Sequence, residues 1–379
     1  MNIVYVFFGD WPCQEAGINF STLTSYGLAE SNKNNINLIV SKNNDKNYNY
    51  ILKNYFNLNP LDNFKVGLID NNFSISKSTS FYIKALKKIK NIHKNRKVDA
   101  VITRTVGFLP YLLLLKKFLN IKVFYEAHDF YLDLSLERVK RKKKKFIFQK
   151  WFLPKLDGII CHQNILKELY KKYIPNQNYC VARTGIRKIT YSDDLWNNKY
   201  IGYIGSLQKR KKIEDLFYAI KKIKNKEIKL MIIGGRDKET INYYLDLIRE
   251  LGLEDKVKIT GWVDKIEVEK NLKKLKIGIV PLADTFFNRY LTSPMKIFDY
   301  FSHGIPVIAT DLPPNREIIT EKCGLFYKPG DIDSLVNAIN ELNSSKEIYD
   351  YYSNNIIEKS KELLWKKRGE IITNFIKSV

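Results

Sequence analysis

Short runs rich in Val, Ile, Phe and Tyr alternate along this chain with longer stretches whose apolar residues recur at helical spacing, and the alternation runs through twice. Nothing else in the sequence constrains the fold as strongly. A short continuous apolar run suits a strand buried on both faces, and such strands separated by amphipathic helices build βαβ units on a parallel sheet. In the first half the candidate strands are Ile3–Phe8, Asn37–Ser41, Lys65–Ile69, Ala100–Arg104, Lys122–Glu126 and Gly158–His162. The order then restarts with Tyr200–Gly205, Lys229–Gly234, Val257–Thr260, Ile277–Pro281, Pro306–Thr310 and Leu325–Tyr327. Two successive sets predict an α/β protein of two Rossmann-like domains, divided in the Asp- and Asn-rich segment Tyr191–Asn198. Ile213, Leu216, Phe217 and Ile220 follow the i, i+3, i+4, i+7 rule, so the helix carrying them should pack on the sheet. The stretch Trp365–Ile376 is amphipathic with no strand after it, and is expected to cross back to the first domain.

A chain of 379 residues is also too long for one ordinary core. With 45% hydrophobic residues it should fold throughout. Cys13, Cys161, Cys180 and Cys323 stand alone, as reduced and mostly buried thiols of a cytoplasmic protein do. The four histidines are equally scattered, so no metal site is expected. The apolar start lacks the basic region of a signal peptide, and the longest apolar stretch, near Phe108 to Leu115, is far short of a membrane span. Lys plus Arg is 64 against 40 Asp plus Glu, a net charge of +24, which points to an anionic partner. The densest run is Arg138–Lys145, interrupted only by Val139. A solvated helix face and a peripheral contact with the anionic inner face of the cytoplasmic membrane both fit it. No zinc finger or RNP-type aromatic motif supports nucleic-acid binding.

In open α/β sheets ligands bind beyond the carboxyl ends of the strands. Three such loops stand out. In Thr292-Ser293-Pro294-Met295-Lys296-Ile297-Phe298-Asp299, Ser293 is a suitable N-cap and Pro294 a suitable first helical residue. Lys296 then falls at the third helical position, where a cation opposes the helix dipole unless an anion is bound. Asp299 lies among apolar residues and needs a partner, which ribose hydroxyls would supply; a surface Lys and a solvated Asp remain the plainer alternative. The loop Gly205-Ser206-Leu207-Gln208-Lys209-Arg210-Lys211-Lys212 again puts cations at a strand–helix junction, where simple solvation is the more common outcome for such a cluster and phosphate the alternative. The third, Tyr125-Glu126-Ala127-His128-Asp129, ends a strand of the first set with a His–Asp pair suited to contacting a sugar or stabilising charge, or to a purely structural role.

The segment Ser293 to Asp311, SPMKIFDYFSHGIPVIATD, resembles the donor-site signature of retaining GT-B glycosyltransferases of family 4, the glycosyl transferases group 1. Tyr203–Lys211, Met231–Gly235, Ile259–Val263 and Gly324–Gly330 are similar to further segments of that family, and Trp365 onward to its crossover helix. The resemblance covers roughly residues 200–379; in the first half it rests on Ala16-Gly17-Ile18 and His128-Asp129. It implies a GT-B fold of two Rossmann-like domains facing across a cleft: 1–190 with the crossover helix 362–379 on the acceptor side, and 191–361 binding a nucleotide sugar. By the same resemblance Lys211 and the Ser293–Lys296 helix start, with Pro294 and Met295, meet the donor diphosphate. Gly17 and the Gly205–Ser206 turn lie near it. Asp299 holds the ribose, His128 touches the donor sugar, and the backbone of Gly261 and Val263 meets the base.

Three departures stand out. The first family glutamate, eight residues before Asp299, is replaced by Leu291; the expected arginine is Ser206; and the retained acid is Asp, not Glu. The implied reaction is retaining transfer from a nucleoside-diphosphate sugar to a glycan or lipid-linked acceptor in bacterial surface-glycan synthesis, with no cofactor, metal or nucleic acid involved. The acidic Asp331-Ile-Asp333 reads as a helix cap. A sugar-nucleotide 2-epimerase of the same fold and a degenerate, non-catalytic subunit are the competing readings.

Overall fold

The computed structural model describes residues 1–379 apart from 14, 32–33, 44–46, 71–75, 192–193 and 209–210. The chain forms two units, Met1–Gly185 with Trp365–Val379, and Ile186–Leu364. The sequence-based division fell after residue 190 and before 362. The unit boundary lies nearer Gly185 because Ile186 pairs with Leu364, and because Leu195 and Trp196, inside the apparently polar segment, pack into the second unit's core.

The first unit holds strands β1 (Asn2–Trp11), β2 (Asn35–Lys42), β3 (Phe64–Ile69), β4 (Ala100–Thr103), β5 (Lys122–Ala127), β6 (Gly158–Cys161) and β7 (Tyr179–Val181). They make one seven-stranded sheet in the order β3-β2-β1-β4-β5-β6-β7. Every pairing in it is parallel. β7 is the strand the sequence pattern did not announce. The second unit holds β8 (Tyr200–Ile204), β9 (Lys229–Ile233), β10 (Val257–Ile259), β11 (Leu275–Val280), β12 (Val307–Thr310) and β13 (Gly324–Tyr327). These form a six-stranded parallel sheet, β10-β9-β8-β11-β12-β13. The central strands are buried on both faces, β4, β6 and β11 throughout, which explains their unbroken apolar runs. Strand order reverses between β1 and β4 in one sheet and between β8 and β11 in the other. Those two switch points are where such sheets bind ligands.

The terminal helix Trp365–Ser378 belongs to the first unit and packs on helix Ala16–Glu30. Their backbones touch: a Cβ on Gly27 would lie 2.3 Å from the Trp365 carbonyl oxygen, and one on Gly369 would lie 2.2 Å from that of Gly27. Only glycine allows this approach. It carries Arg368 into the interior, where the residue is 2% exposed.

Candidate functional site

In the second unit the glycine at the end of β8 and that at the end of β9 bring two turns into contact. Gly205 (φ 147°) donates its N–H to the Ile233 carbonyl at 3.0 Å, and a Cβ on Gly234 (φ 136°) would fall 2.2 Å from the Gly205 oxygen. Gly234 also bridges to Gly261 and donates to Thr260 Oγ1 at 3.2 Å, so the end of β10 joins the group. Above these turns lies a cavity of about 430 Å³. Gly205, Ser206, Gly234, Arg236, Val263 and Lys296 are among its lining residues.

Helix Met295–Phe301 delivers Lys296, and Tyr300 fixes that helix. The Tyr300 hydroxyl donates to the Gly202 carbonyl at 3.0 Å and accepts from the Ile204 N–H at 3.1 Å, tying the helix to β8. The helix starts one residue later than its sequence suggests. Pro294 has ψ 76°, outside helical range, and is the cap; Ser293 precedes it with its carbonyl accepting from Met295 N–H at 2.8 Å, and Lys296 is the second helical residue. Asp299, expected to need an outside partner, already has one: Lys296 Nζ lies 3.4 Å from its Oδ2, with both side chains about two-fifths exposed.

Gly205, Ser206, Val263 and Lys296 thus come together. Gly261 lies in the adjoining turn, Pro294 is buried, and the Met295 side chain is exposed. Lys211 is outside the cavity lining, its N–H closing a turn onto the Gln208 carbonyl at 2.8 Å; Lys209 and Arg210 lie outside the described residues. Leu291, where the family's first glutamate would stand, is buried and presents no polar group. Sequence reasoning missed Trp262 and Arg236. The indole is half-exposed beside the cavity, with the Arg236 guanidinium 5.7 Å from its centroid. An aromatic between two expected base-contacting residues was the available signal.

The first unit's candidate group gathers at β5, at the β1/β4 switch. Glu126 is 1% exposed and accepts from Arg368 Nη2 (2.6 Å) and the Tyr5 hydroxyl (2.5 Å). His128 Nε2 lies 3.1 Å from its Oε1. Burial pushes Glu126 up, but Arg368, His128 and Arg104 together outweigh it and hold the carboxyl at about 2. The carboxylate can only accept, so His128 Nε2 carries the proton and Nδ1 is left as an acceptor. Burial, then Arg104, hold His128 at about 4 against the pull of Glu126; burial and His128 hold His162, stacked on it with centroids 5.3 Å apart, at about 3.

All three groups bind protons more readily in the unfolded chain, where His titrates near about 6.5 and Glu near about 4.3. Their contribution to stability is present above those values. It is lost on acidification, through the His window from about 6.5 to 3 and the Glu126 window from about 4.3 to 2. Hydrogen-exchange protection factors of the β4–β6 amides should therefore fall steeply between about pH 7 and about pH 4. Equal protection at both would exclude this.

His128 lines a second cavity, of about 780 Å³, together with Arg104, Lys142, Lys144 and Lys145. Asp129 is there too, but paired to Arg138 at 2.9 Å. The basic run is therefore not one continuous helix face, one of the two readings its sequence allows. A short helix, Glu137–Lys140, stops at Arg141, and a second, Lys143–Phe152, begins after Lys142 (φ −125°, ψ 41°). Seven cations on one helix would repel one another at i, i+4, and the break turns several of them toward Tyr131. Gly17 is the second residue of helix Ala16–Glu30, outside this cavity's lining, under the Phe7 ring; its carbonyl accepts from Arg104 Nη1 at 3.1 Å. Among the described residues no group of three or more His, Cys, Asp or Glu could hold a metal, and no helix is long and apolar enough to cross a membrane. Asp331 caps its helix through the Ser334 N–H at 2.9 Å.

Residues 198–345 match the family described as glycosyl transferases group 1. No curated protein matches the sequence. Among solved structures, sucrose-phosphate synthase from Thermosynechococcus elongatus is similar over 100% of this chain and 98% of its own, at 17% identity and a TM-score of 0.74. Anabaena HepE in complex with UDP and glucose is similar over 100% of both chains, at 14% identity and a TM-score of 0.71. The lipopolysaccharide outer core galactosyltransferase WaaB is similar over 100% of this chain and 99% of its own, at 20% identity and a TM-score of 0.66.

Proposed function

We propose that the chain, whose residues 198–345 match the glycosyl transferases group 1 and whose fold is that of GT-B glycosyltransferases, is a glycosyltransferase that moves a sugar, with retention of configuration, from a nucleoside-diphosphate sugar to a glycan or lipid-linked acceptor. The observation that carries this reading is the cavity over the glycine turns after β8 and β9, with a lysine on its wall. Backbone that can be approached closely and a cation 3.4 Å from an easily exchanged partner suit a diphosphate.

In this reading Lys296, with Lys211 from the loop after β8, stabilises the departing diphosphate. Val263 and Gly261 meet the base, Trp262 offers it a stacking face, and Asp299 takes the ribose once Lys296 turns to phosphate. His128 Nδ1, held as an acceptor by the Nε2–Glu126 contact, receives a sugar hydroxyl. No metal takes part. HepE holds UDP, so UDP-sugars are the first donors to test. WaaB works on lipopolysaccharide core, which supports a place in bacterial surface-glycan synthesis, on the cytoplasmic side of the membrane.

The test is a thermal-shift screen of UDP-, GDP- and ADP-sugars, followed by slow hydrolysis of the donor that binds, with the anomer of the released sugar read by NMR. A donor at about 100 times its Kd should stabilise the protein by about 2.7 kcal/mol. His128→Ala should cut turnover at least about 100-fold, the usual worth of a positioned polar group in a transition state, while UDP affinity stays within about twofold. A wild-type rate in that variant would make His128 structural. Conversion of the donor to its epimer with no acceptor present would replace transfer by epimerisation.

A further inference from the structure

The donor reading leaves the cavity beside His128 with a charge it does not explain. Arg104, Lys142, Lys144 and Lys145 line it, and Asp129, the one acid among the described lining residues, is already bound to Arg138. Lys145, Arg138 and Lys142 converge on the ring of Tyr131, at 4.9, 5.3 and 5.9 Å from its centroid, and Lys145 Nζ also lies 3.3 Å from the Tyr131 hydroxyl. One ring face cannot offset the mutual repulsion of so many cations. Arg104 faces the same space. It donates to the Gly17 carbonyl and lies over Phe7 and Phe20 at 5.1 and 5.3 Å; among the described residues no carboxylate makes a direct ion pair with it, and Glu126, already held by Arg368, acts on it only through space. Helix Lys143–Phe152 starts here without a side-chain cap, so its positive N-terminal end adds to the same charge. The other wall is aromatic, with Phe8, Tyr82 and Tyr111.

We propose that this cavity takes an acceptor bearing a phosphate group, with the phosphate between Arg104 and Lys142/Lys145 and the remainder of the acceptor against the aromatic wall. The proposal rests on the glycosyltransferase reading for the word acceptor; the phosphate site itself does not depend on it. Phosphate fits the charge better than a carboxylate does, since a monoester carries nearly two negative charges and three strong acceptor oxygens. The same chemistry is offered by a soluble phosphorylated sugar and by a phosphate-linked lipid. The convergence of these cations on one concave wall is the observation that favours it over a solvated charge run.

Inorganic phosphate is titrated calorimetrically into the full chain saturated with UDP, so that the donor site is filled. Lys142→Gln/Lys145→Gln should weaken phosphate binding at least tenfold, about what one lost charge-assisted contact gives. Lys150→Gln/Lys155→Gln removes equal charge outside the cavity lining and should stay within about twofold of wild type. Circular dichroism confirms that both variants fold. Equal phosphate affinity in wild type and the Lys142/Lys145 variant overturns the proposal, and so does an equal loss in the control. Sedimentation with phosphatidylglycerol vesicles separates the sources. Pelleting that is lost in the Lys142/Lys145 variant assigns a lipid-borne phosphate; phosphate binding without pelleting assigns a soluble one. If the wild type binds phosphate but no nucleoside diphosphate, the donor reading fails and the phosphate site stands.

Discussion

Arg368→Met is expected to destabilise the first unit by about 3–5 kcal/mol, the usual cost of stranding one member of a buried ion pair. Arg368 reaches Glu126 from 242 residues away in sequence, donates to the Arg183 carbonyl at 3.0 Å and to that of Ala182, and contacts Thr24 Oγ1 at 3.3 Å. Its removal leaves several buried acceptors without their donor and a carboxylate held by Tyr5 and His128 alone. Glu126 should then titrate higher, take up a proton more readily, and loosen its hold on the His128 tautomer. Protection factors of the β5 and β6 amides report the loss, and donor hydrolysis should fall with them. Pairing the change with Glu126→Gln removes the unbalanced charge and should recover at least about half of the lost stability, because such pairs are non-additive. If the double variant is as unstable as the sum of the two single ones, the pair is not what holds this interior together.

The same residue shows where the sequence stops being informative. The strands were legible because β-branched runs buried on both faces have no polar alternation to hide them; β6, all four of its residues buried, is the plainest case. β7 escaped because Tyr179–Val181 is only three residues long and follows polar ones. β11 begins earlier than expected because Lys276 breaks the apolar run, yet its ammonium sits 3.3 Å over the Trp196 ring and so enters the strand. Gly205 could be read as a site residue since it adjoins a strand end, and Lys296 since it falls in the first turn of a helix. Arg368 could not. On an amphipathic helix it looks like one more polar-face cation, and only the Gly27–Gly369 contact, invisible in one dimension, turns it inward. Nor does a run of basic residues announce a break: Lys142, Lys144 and Lys145 line a cavity because the helix stops and restarts between them and Arg138.

Lys296→Ala is expected to weaken nucleoside-diphosphate binding by about 1.5–3 kcal/mol, or roughly 10- to 150-fold. The size follows from what the side chain gives up and what it gains. In the structure it pairs with Asp299 at 3.4 Å, with both side chains substantially solvated. Such an exposed pair is worth at most about 1 kcal/mol, whereas a charge-assisted bond to phosphate inside a concave site is worth about twice that. Exchange of partners is therefore favourable, and it frees the Asp299 carboxylate for a ribose. The lysine is placed for it: a Cβ on Gly205 would sit 3.6 Å from Lys296 Cε, and Tyr300 anchors the helix to β8. Lys211, outside the cavity lining, should cost less when replaced by Ala. Asp299→Asn should leave UDP affinity within a few-fold, because losing the competing carboxylate offsets the weaker ribose contact. Calorimetry with UDP decides among these. An unchanged affinity in Lys296→Ala, or a larger loss in Lys211→Ala, would move the diphosphate away from the turns after β8 and β9.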